Sequence, residues 1–179
     1  SRLKGGRLAQ LAAPSTIISF VLSDVIGDPL DIIASGPTSP DGSTFHDALA
    51  IVEKYGSKDD TPPSALNFLA DGAGGLLEET PKGGSKVFKK VKNIIVGNNV
   101  IALNAAGEKA ALLGYSREIT TSVLSGKAGD AAQKLAAEAV ERQKGLLPGQ
   151  ALCLISGGET TVEVRGMGKG GRNMELALV

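Results

Sequence analysis

Chemistry in this chain gathers in four glycine-rich stretches, each carrying a charged residue at a set place. The last, GMGKGGRNMELALV, runs from Gly166 to Val179, and its Gly166, Gly168 and Gly171 fit the spacing GxGxxG. That spacing suits a dinucleotide-binding turn, a phosphate cradle or a plain connection. Arg172 and Asn173 come next, at the start of an expected helix, just after Gly170 and Gly171. A planar guanidinium, open backbone N–H groups and the helix dipole all favour a carboxylate or phosphate at such a point.

The second stretch, SGGET, places Ser156, Gly157, Gly158 and Glu159 at the end of an expected strand. Ligands gather at the C-terminal ends of strands in α/β sheets, and glycine lets the backbone approach them. Glu159 is suited to a metal ion, to a hydroxyl or to pairing with Arg172, while a two-residue GG hairpin is the plainer alternative. The third stretch, SDVIGDPLDIIASGPT, brings Asp24 directly after a strand, with Asp28 and Asp31 in the same loop. Carboxylates there suit magnesium on a nucleotide or a proton from an attacking hydroxyl, or else serve as turn and cap residues. The fourth, KGGR from Lys4 to Arg7, has the form of a phosphate-facing turn before a helix.

Positioning these residues requires an α/β arrangement, since short apolar runs alternate with helical ones. Leu8 to Ala12 reads as a short helix. Thr16 to Leu22 is continuously apolar and β-branched, as in a strand buried on both faces. Ser43 or Thr44 caps a helix to Tyr55, and Pro62 and Pro63 open another to about Ala70. The segment from Asp71 to Lys90 lacks apolar periodicity and marks the expected boundary, giving units 1–88 and 89–179. In the second unit, strand Asn93–Gly97, helix Asn99–Leu113 and strand Glu118–Val123 form an expected βαβ. Helix Gly129–Gln143 and strand Ala151–Ile155 follow. TTVEVR alternates polar with apolar residues, which predicts a strand with one wet face and weakens the dinucleotide reading; that fingerprint also needs an acidic residue about 20 positions further on.

Composition narrows the chemistry further. Nineteen basic and nineteen acidic residues cancel among 179, so no overall field draws the chain to nucleic acid or an anionic membrane. No apolar run approaches the roughly 20 residues of a membrane span. The lone Cys153, in ALCLI, reads as a core thiol. The only histidine, His46, sits in an expected helix, which disfavours a histidine triad or zinc site. KKVK, Lys89 to Lys92, reads as a solvated face. Walker, HRD and DFG signatures are absent. With no initiating Met and a last helix that should continue, the chain is expected to be a segment of a longer protein, intracellular by default.

Taken in order, KGGRLA, LSDVIGDPLDIIASGPT, IIVGNNVIALNAA, SGGETTVEV and GKGGRNMELAL resemble the class II glycerate kinases, the glycerate 2-kinase family whose C-terminal part is called the MOFRL domain. The resemblance implies parts of two α/β domains with largely parallel sheets flanked by helices: the later half of a Rossmann-like kinase domain, then the first part of the MOFRL domain, with the active-site cleft between them. It implies ATP-dependent phosphorylation of D-glycerate to 2-phosphoglycerate with magnesium. Carried over by residue, it makes Asp24, Glu159 and Arg172 catalytic candidates. Lys4, Ser156, Gly157, Gly158, Gly170, Gly171 and Asn173 become substrate or phosphate contacts, and Asp24 and Asp28 candidate magnesium ligands. Met174 stands where the family usually has Gln. A family active-site lysine would lie before Ser1, so the segment alone is expected to be inactive.

Glycerate and nucleotide are the expected partners, with no nucleic acid or membrane and with room for a homo-oligomer. Cytosol is the default location, or mitochondria if a transit peptide precedes Ser1. A hydroxypyruvate reductase and a non-catalytic binding fragment are the alternatives.

Overall fold

The structure, a computed structural model, describes residues 2–56 and 61–179. The chain is an α/β fold in two compact units, Ser1–Val21 with Gly27–Val96, and Leu22–Ile26 with Gly97–Val179. Residue 88 therefore falls inside the first unit. Strand pairing is the reason: β1 (Ile17–Leu22) pairs with β2 (Val91–Gly97), and β3 (Ser116–Leu124) pairs with β4 (Leu152–Gly158), in separate sheets. The βαβ expected from Asn93 to Val123 is thus corrected, because its two strands do not share a sheet.

In the first unit α1 spans Arg7–Ala12, α2 Phe45–Tyr55 and α3 Pro63–Ala73. Thr44 closes α2 with a reciprocal capping box: Thr44 Oγ1 accepts from Asp47 N at 3.2 Å, and Asp47 Oδ2 accepts from Thr44 N at 2.8 Å. Such a cap contributes about 1 kcal/mol. It also turns Phe45 inward against α3, where its ring covers Gly72 so closely that any Cβ there would overlap it. Phe68 meets the same ring edge-on, with centroids 5.7 Å apart. The absence of a side chain at 72 is what lets α2 and α3 approach.

The compositionally odd segment before β2 is a polar strap, not a loose connection. The Glu78 carbonyl accepts from Arg7 at 2.9 Å, Glu79 Oε1 accepts from Phe45 N at 2.9 Å, and the Pro81 carbonyl accepts from Asp41 N at 3.1 Å. Hydrogen bonds rather than apolar contacts hold it, so hydropathy could not reveal it. β1 also departs from expectation. Ile18, Phe20 and Leu22 are 59%, 70% and 77% exposed, so alternate side chains lie bare, and an unbroken apolar run could not distinguish one covered face from two.

In the second unit α4 spans Asn99–Leu112, α5 Ala128–Lys144 and α6 Arg172–Leu178. β3 and β4 are parallel, with α5 as the crossover between them. The register runs from Ser116 opposite Leu152 to Ile119 opposite Ile155, then shifts so that Thr121 meets Ser156 and Leu124 meets Gly158. Buried Ala128, Ala131 and Ala132 line the inner side of α5, and buried Leu103 and Ala110 that of α4. Near the C-terminal end of α5, Arg142 grips Glu118 of β3 through Nε at 2.9 Å and Nη2 at 2.6 Å. Among the described residues no helix is long and apolar enough to cross a membrane.

Candidate active site

Alternation along β4 turns neighbouring residues of SGGET to opposite sides. Leu154 and Ser156 share a cavity with Thr120 of β3 and with Leu135, Glu138 and Ala139 of α5. The Ser156 hydroxyl lies 2.6 Å from that of Thr120. Ile155 and Gly157 face α4. A Cβ on Gly157 would overlap Asn99 Oδ1 and come within 2.9 Å of Leu103 Cδ2. Gly158 has φ 149°, and a Cβ there would overlap the backbone of Leu124. Both glycines are thus demanded by packing within the protein.

Asn99 is a residue that sequence reasoning missed. Its Nδ2 donates to the Ser122 carbonyl of β3 at 2.6 Å while its Oδ1 lies against Gly157 of β4. One side chain at the start of α4 thereby ties together the C-terminal ends of both strands. The pair of asparagines in GNN was the available signal: Asn98 caps the helix, its Oδ1 accepting from Ile101 N at 2.8 Å, which leaves the second asparagine without a local task.

Just beyond β4, Glu159 is fixed by its own backbone, whose N–H donates to the Leu124 carbonyl at 2.8 Å. Its Oε1 lies 2.7 Å from Arg172 Nη2, and the two side chains are 49% and 48% exposed. A pair this exposed adds at most about 1 kcal/mol to stability. What it supplies is orientation. The contact uses one nitrogen of a guanidinium that has five N–H donors in a rigid fork, so the same arginine can hold Glu159 and an anionic oxygen together. Asn173 follows it, exposed, in the first turn of α6.

Between these two charges runs an exposed loop. The strand expected over TTVEVR reduces to a single parallel bridge between Thr161 and Lys127, with Thr161 N on the Gly126 carbonyl at 2.8 Å and Ala128 N on the Thr161 carbonyl at 2.9 Å. Among the described residues no neighbouring strand continues the ladder past this bridge, and alternation alone does not make a strand. Glu163 bonds Lys127 at 2.5 Å and also pairs with Arg165. Hydrogen bonds from Lys127 first, then Arg165, hold its carboxyl below the ordinary glutamate range. Gly166, Gly168, Gly170 and Gly171 have no protein atom within 4 Å of a Cβ position, and none has a left-handed φ. The fold itself therefore places no demand for glycine along this loop, in contrast to positions 157 and 158.

Asp24 follows β1 and is exposed. Its segment, Leu22–Ile26, belongs to the same unit as Glu159 and Arg172. Beside it, buried Ser23 donates its N–H to the Gly97 carbonyl at 2.9 Å. Asp28 and Lys4 belong to the first unit. Asp28 has φ 53°, after Gly27 at φ 82°. Lys4 precedes the left-handed pair Gly5 and Gly6. Among the described residues no three His, Cys, Asp or Glu side chains converge to hold a metal. Magnesium bound largely through nucleotide phosphates needs only one or two carboxylates, which an exposed Asp24 satisfies chemically. His46 is exposed on α2.

Residues 1–70 match the domain of unknown function DUF4147, and residues 152–179 match the MOFRL family. The D-glycerate 2-kinase of Thermotoga maritima is 41% identical over 179 residues, a match covering 99% of this chain and 40% of that protein. The glycerate kinase of Danio rerio is 35% identical over 215 residues, covering 99% of this chain and 43% of its own length. The crystal structure of glycerate kinase from Thermotoga maritima aligns with a TM-score of 0.78 at 41% identity, over 99% of this chain and 40% of that one. The chain thus spans about 40% of the length of these relatives. With the DUF4147 and MOFRL segments in that order, and glycerate kinases matching nearly all of its length, the chain belongs to the glycerate kinase family that carries the MOFRL segment.

Proposed function

We propose that the protein carrying this chain transfers the γ-phosphoryl group of ATP to the 2-hydroxyl of D-glycerate, giving 2-phosphoglycerate and ADP. The observation that carries the reading is the Glu159–Arg172 pair at the end of β4, in a chain matched almost throughout by glycerate kinases. Phosphoryl transfer asks a protein chiefly to position its reactants and to balance charge. Arg172, held by Glu159, supplies a cation for an anionic oxygen of the substrates. The loop from Gly166 to Gly171 supplies backbone N–H groups that a ligand can approach closely. As the substrate oxygen bonds to phosphorus, the bond to the β-phosphate oxygen breaks, its electrons leave with ADP, and Asp24 takes the hydroxyl proton. Magnesium, when bound, neutralises phosphate charge, and Asp24 is the carboxylate that would hold it.

Glycerate-dependent ADP release, followed by a coupled assay, tests the reading. Arg172→Gln should lower kcat/KM by about 100-fold or more, as expected for loss of a charge that meets the transferring group. Unchanged turnover in that variant, or no glycerate-dependent ADP release by the wild type, would sink it.

A further inference from the structure

A cavity of about 640 Å³ lies wholly within the first unit, away from β4 and Arg172. Its size falls in the range of small-molecule sites. The walls come from three separated segments. The turn at Lys4 and Gly5 is tied to the loop at Ser35 and Gly36 by Gly5 N on the Ser35 carbonyl at 2.8 Å and Gly6 N on the Gly36 carbonyl at 2.7 Å. The third wall, around Asp41, presses so close that a Cβ on Gly5 would come within 2.9 Å of Asp41 Oδ2 and 3.0 Å of Thr80 Cγ2.

Two properties set this cavity apart from a chance depression. The first is strain. Ala34, Ser35 and Gly36 are left-handed in succession at φ 52°, 62° and 57°, and two of them pay a Cβ clash that glycine would avoid. Residues persist in such conformations where the surroundings over-determine them, and they cluster at ligand sites. The second is a carboxylate set in place beforehand. Asp41 Oδ1 accepts from Ser43 N at 2.9 Å and Ser43 Oγ at 2.6 Å, and Oδ2 accepts from Thr80 Oγ1 at 3.0 Å. Burial would raise its pKa, but the bonds from Ser43 and Thr80 and the charge of Lys82 outweigh burial and keep it ionised. A carboxylate with about four lone-pair sites and three donors accepts one more.

The lining therefore offers Asp31 and Asp41 as acceptors, Ser35 as a hydroxyl that donates or accepts, Lys4 as a cation, and Ile32 with Pro40 as a small apolar patch. We infer that this cavity binds a small anion bearing neighbouring hydroxyls, with the hydroxyls on Asp41 and Ser35 and the negative group at Lys4. Two ligands share that chemistry: a dihydroxy acid such as glycerate, and the ribose and phosphates of a nucleotide. Only the choice of these two probes rests on the kinase reading.

Calorimetric titration of the chain with D-glycerate, and separately with magnesium-free ATP, tests the assignment in the wild type, Lys4→Gln and Ser35→Ala. Both variants keep Asp41 and its bonds, so folding is preserved. One ligand should bind about tenfold more weakly to Lys4→Gln and several-fold more weakly to Ser35→Ala, as for loss of a charged and a neutral hydrogen bond. Lactate, which lacks the second hydroxyl, or 2′,3′-dideoxy-ATP should lose the same increment, and the one that does so identifies the source. Binding of neither ligand by the wild type, or affinities within twofold in both variants, overturns the inference. If glycerate-dependent turnover persists while these affinities stay unmoved, the cavity assignment fails and the kinase reading stands. Diol-dependent binding without turnover gives the reverse.

Discussion

Glu159 Oε1 and Arg172 Nη2 lie 2.7 Å apart across an exposed glycine-rich loop, the carboxylate held at the end of a buried-edge strand and the guanidinium at the start of α6. Because both groups are about half exposed, loss of the pair should hardly change folding. Glu159→Gln is expected to shift stability by less than about 1 kcal/mol in urea denaturation, yet to lower kcat for glycerate phosphorylation by roughly tenfold through a less well-held arginine. Arg172→Lys should cost more, since an ammonium cannot serve carboxylate and anion in one plane. A large stability loss without a kinetic one would assign the pair to the fold.

Packing at the end of β4 predicts a hierarchy among the glycines. Gly157→Ala drives a methyl group into Asn99 Oδ1 and Leu103 and should destabilise by about 1–3 kcal/mol, the usual range for overpacking. Combining it with Asn99→Ala should recover part of that loss, because the obstructing amide is gone, but not the bond to Ser122. Denaturation midpoints of the two single variants and the double variant measure the coupling. Full additivity would mean that the two residues do not meet.

The exposed loop behaves in the opposite way. Gly166→Ala and Gly168→Ala meet no protein atom within 4 Å and no left-handed backbone, so each should change stability by under about 0.5 kcal/mol. Gly171→Ala, beside Arg172, should be equally silent in denaturation but raise KM for ATP or glycerate severalfold, because a methyl group then stands where the ligand approaches. Measuring KM and denaturation midpoint on the same preparations separates the two effects.

Acid should loosen the second unit in a defined direction. The hydrogen bond from Arg142, followed by its charge, holds the Glu118 carboxyl below its ordinary value of 4.5, although desolvation acts against it. A carboxyl lowered in the folded state gives stability that is fully present above the unfolded value and is lost as pH falls through the folded one. Stability measured from pH 7 downward should thus hold to about pH 4.5 and then decline. Glu118→Gln should flatten that decline without moving the plateau slope. An identical acid limb in wild type and variant would show that other carboxylates carry it.

Much of this architecture was readable in the residues, for reasons that differ from place to place. Thr44, Pro63, Gly114 and the alanine stripe of α5 gave helix limits correct to within a few residues, because caps and periodicity are local. Pairing of β1 with β2 was not readable, since partner choice depends on contacts far apart in sequence. The polar strap at Glu78 to Pro81 escaped notice because hydrogen bonds leave no hydropathy signal. In the candidate site the Glu159–Arg172 pairing was legible as one option from charge and proximity to glycine turns. The inward turn of Ser156 was not, as it follows from the facing of β4 between α4 and α5. Asn99 was hidden because a residue just inside a helix cap looks like part of the cap.

The left-handed run at Ala34 and Ser35 has a consequence for selection. Glycine at either position would remove a Cβ conflict worth about 1–2 kcal/mol, against only the added freedom of the unfolded chain. A screen that rewards thermal resistance alone should therefore drift toward glycine there, gaining robustness while the cavity wall softens. Lineages kept under demand for ligand affinity should hold the costlier side chains, so these two positions record which of the two pressures has acted.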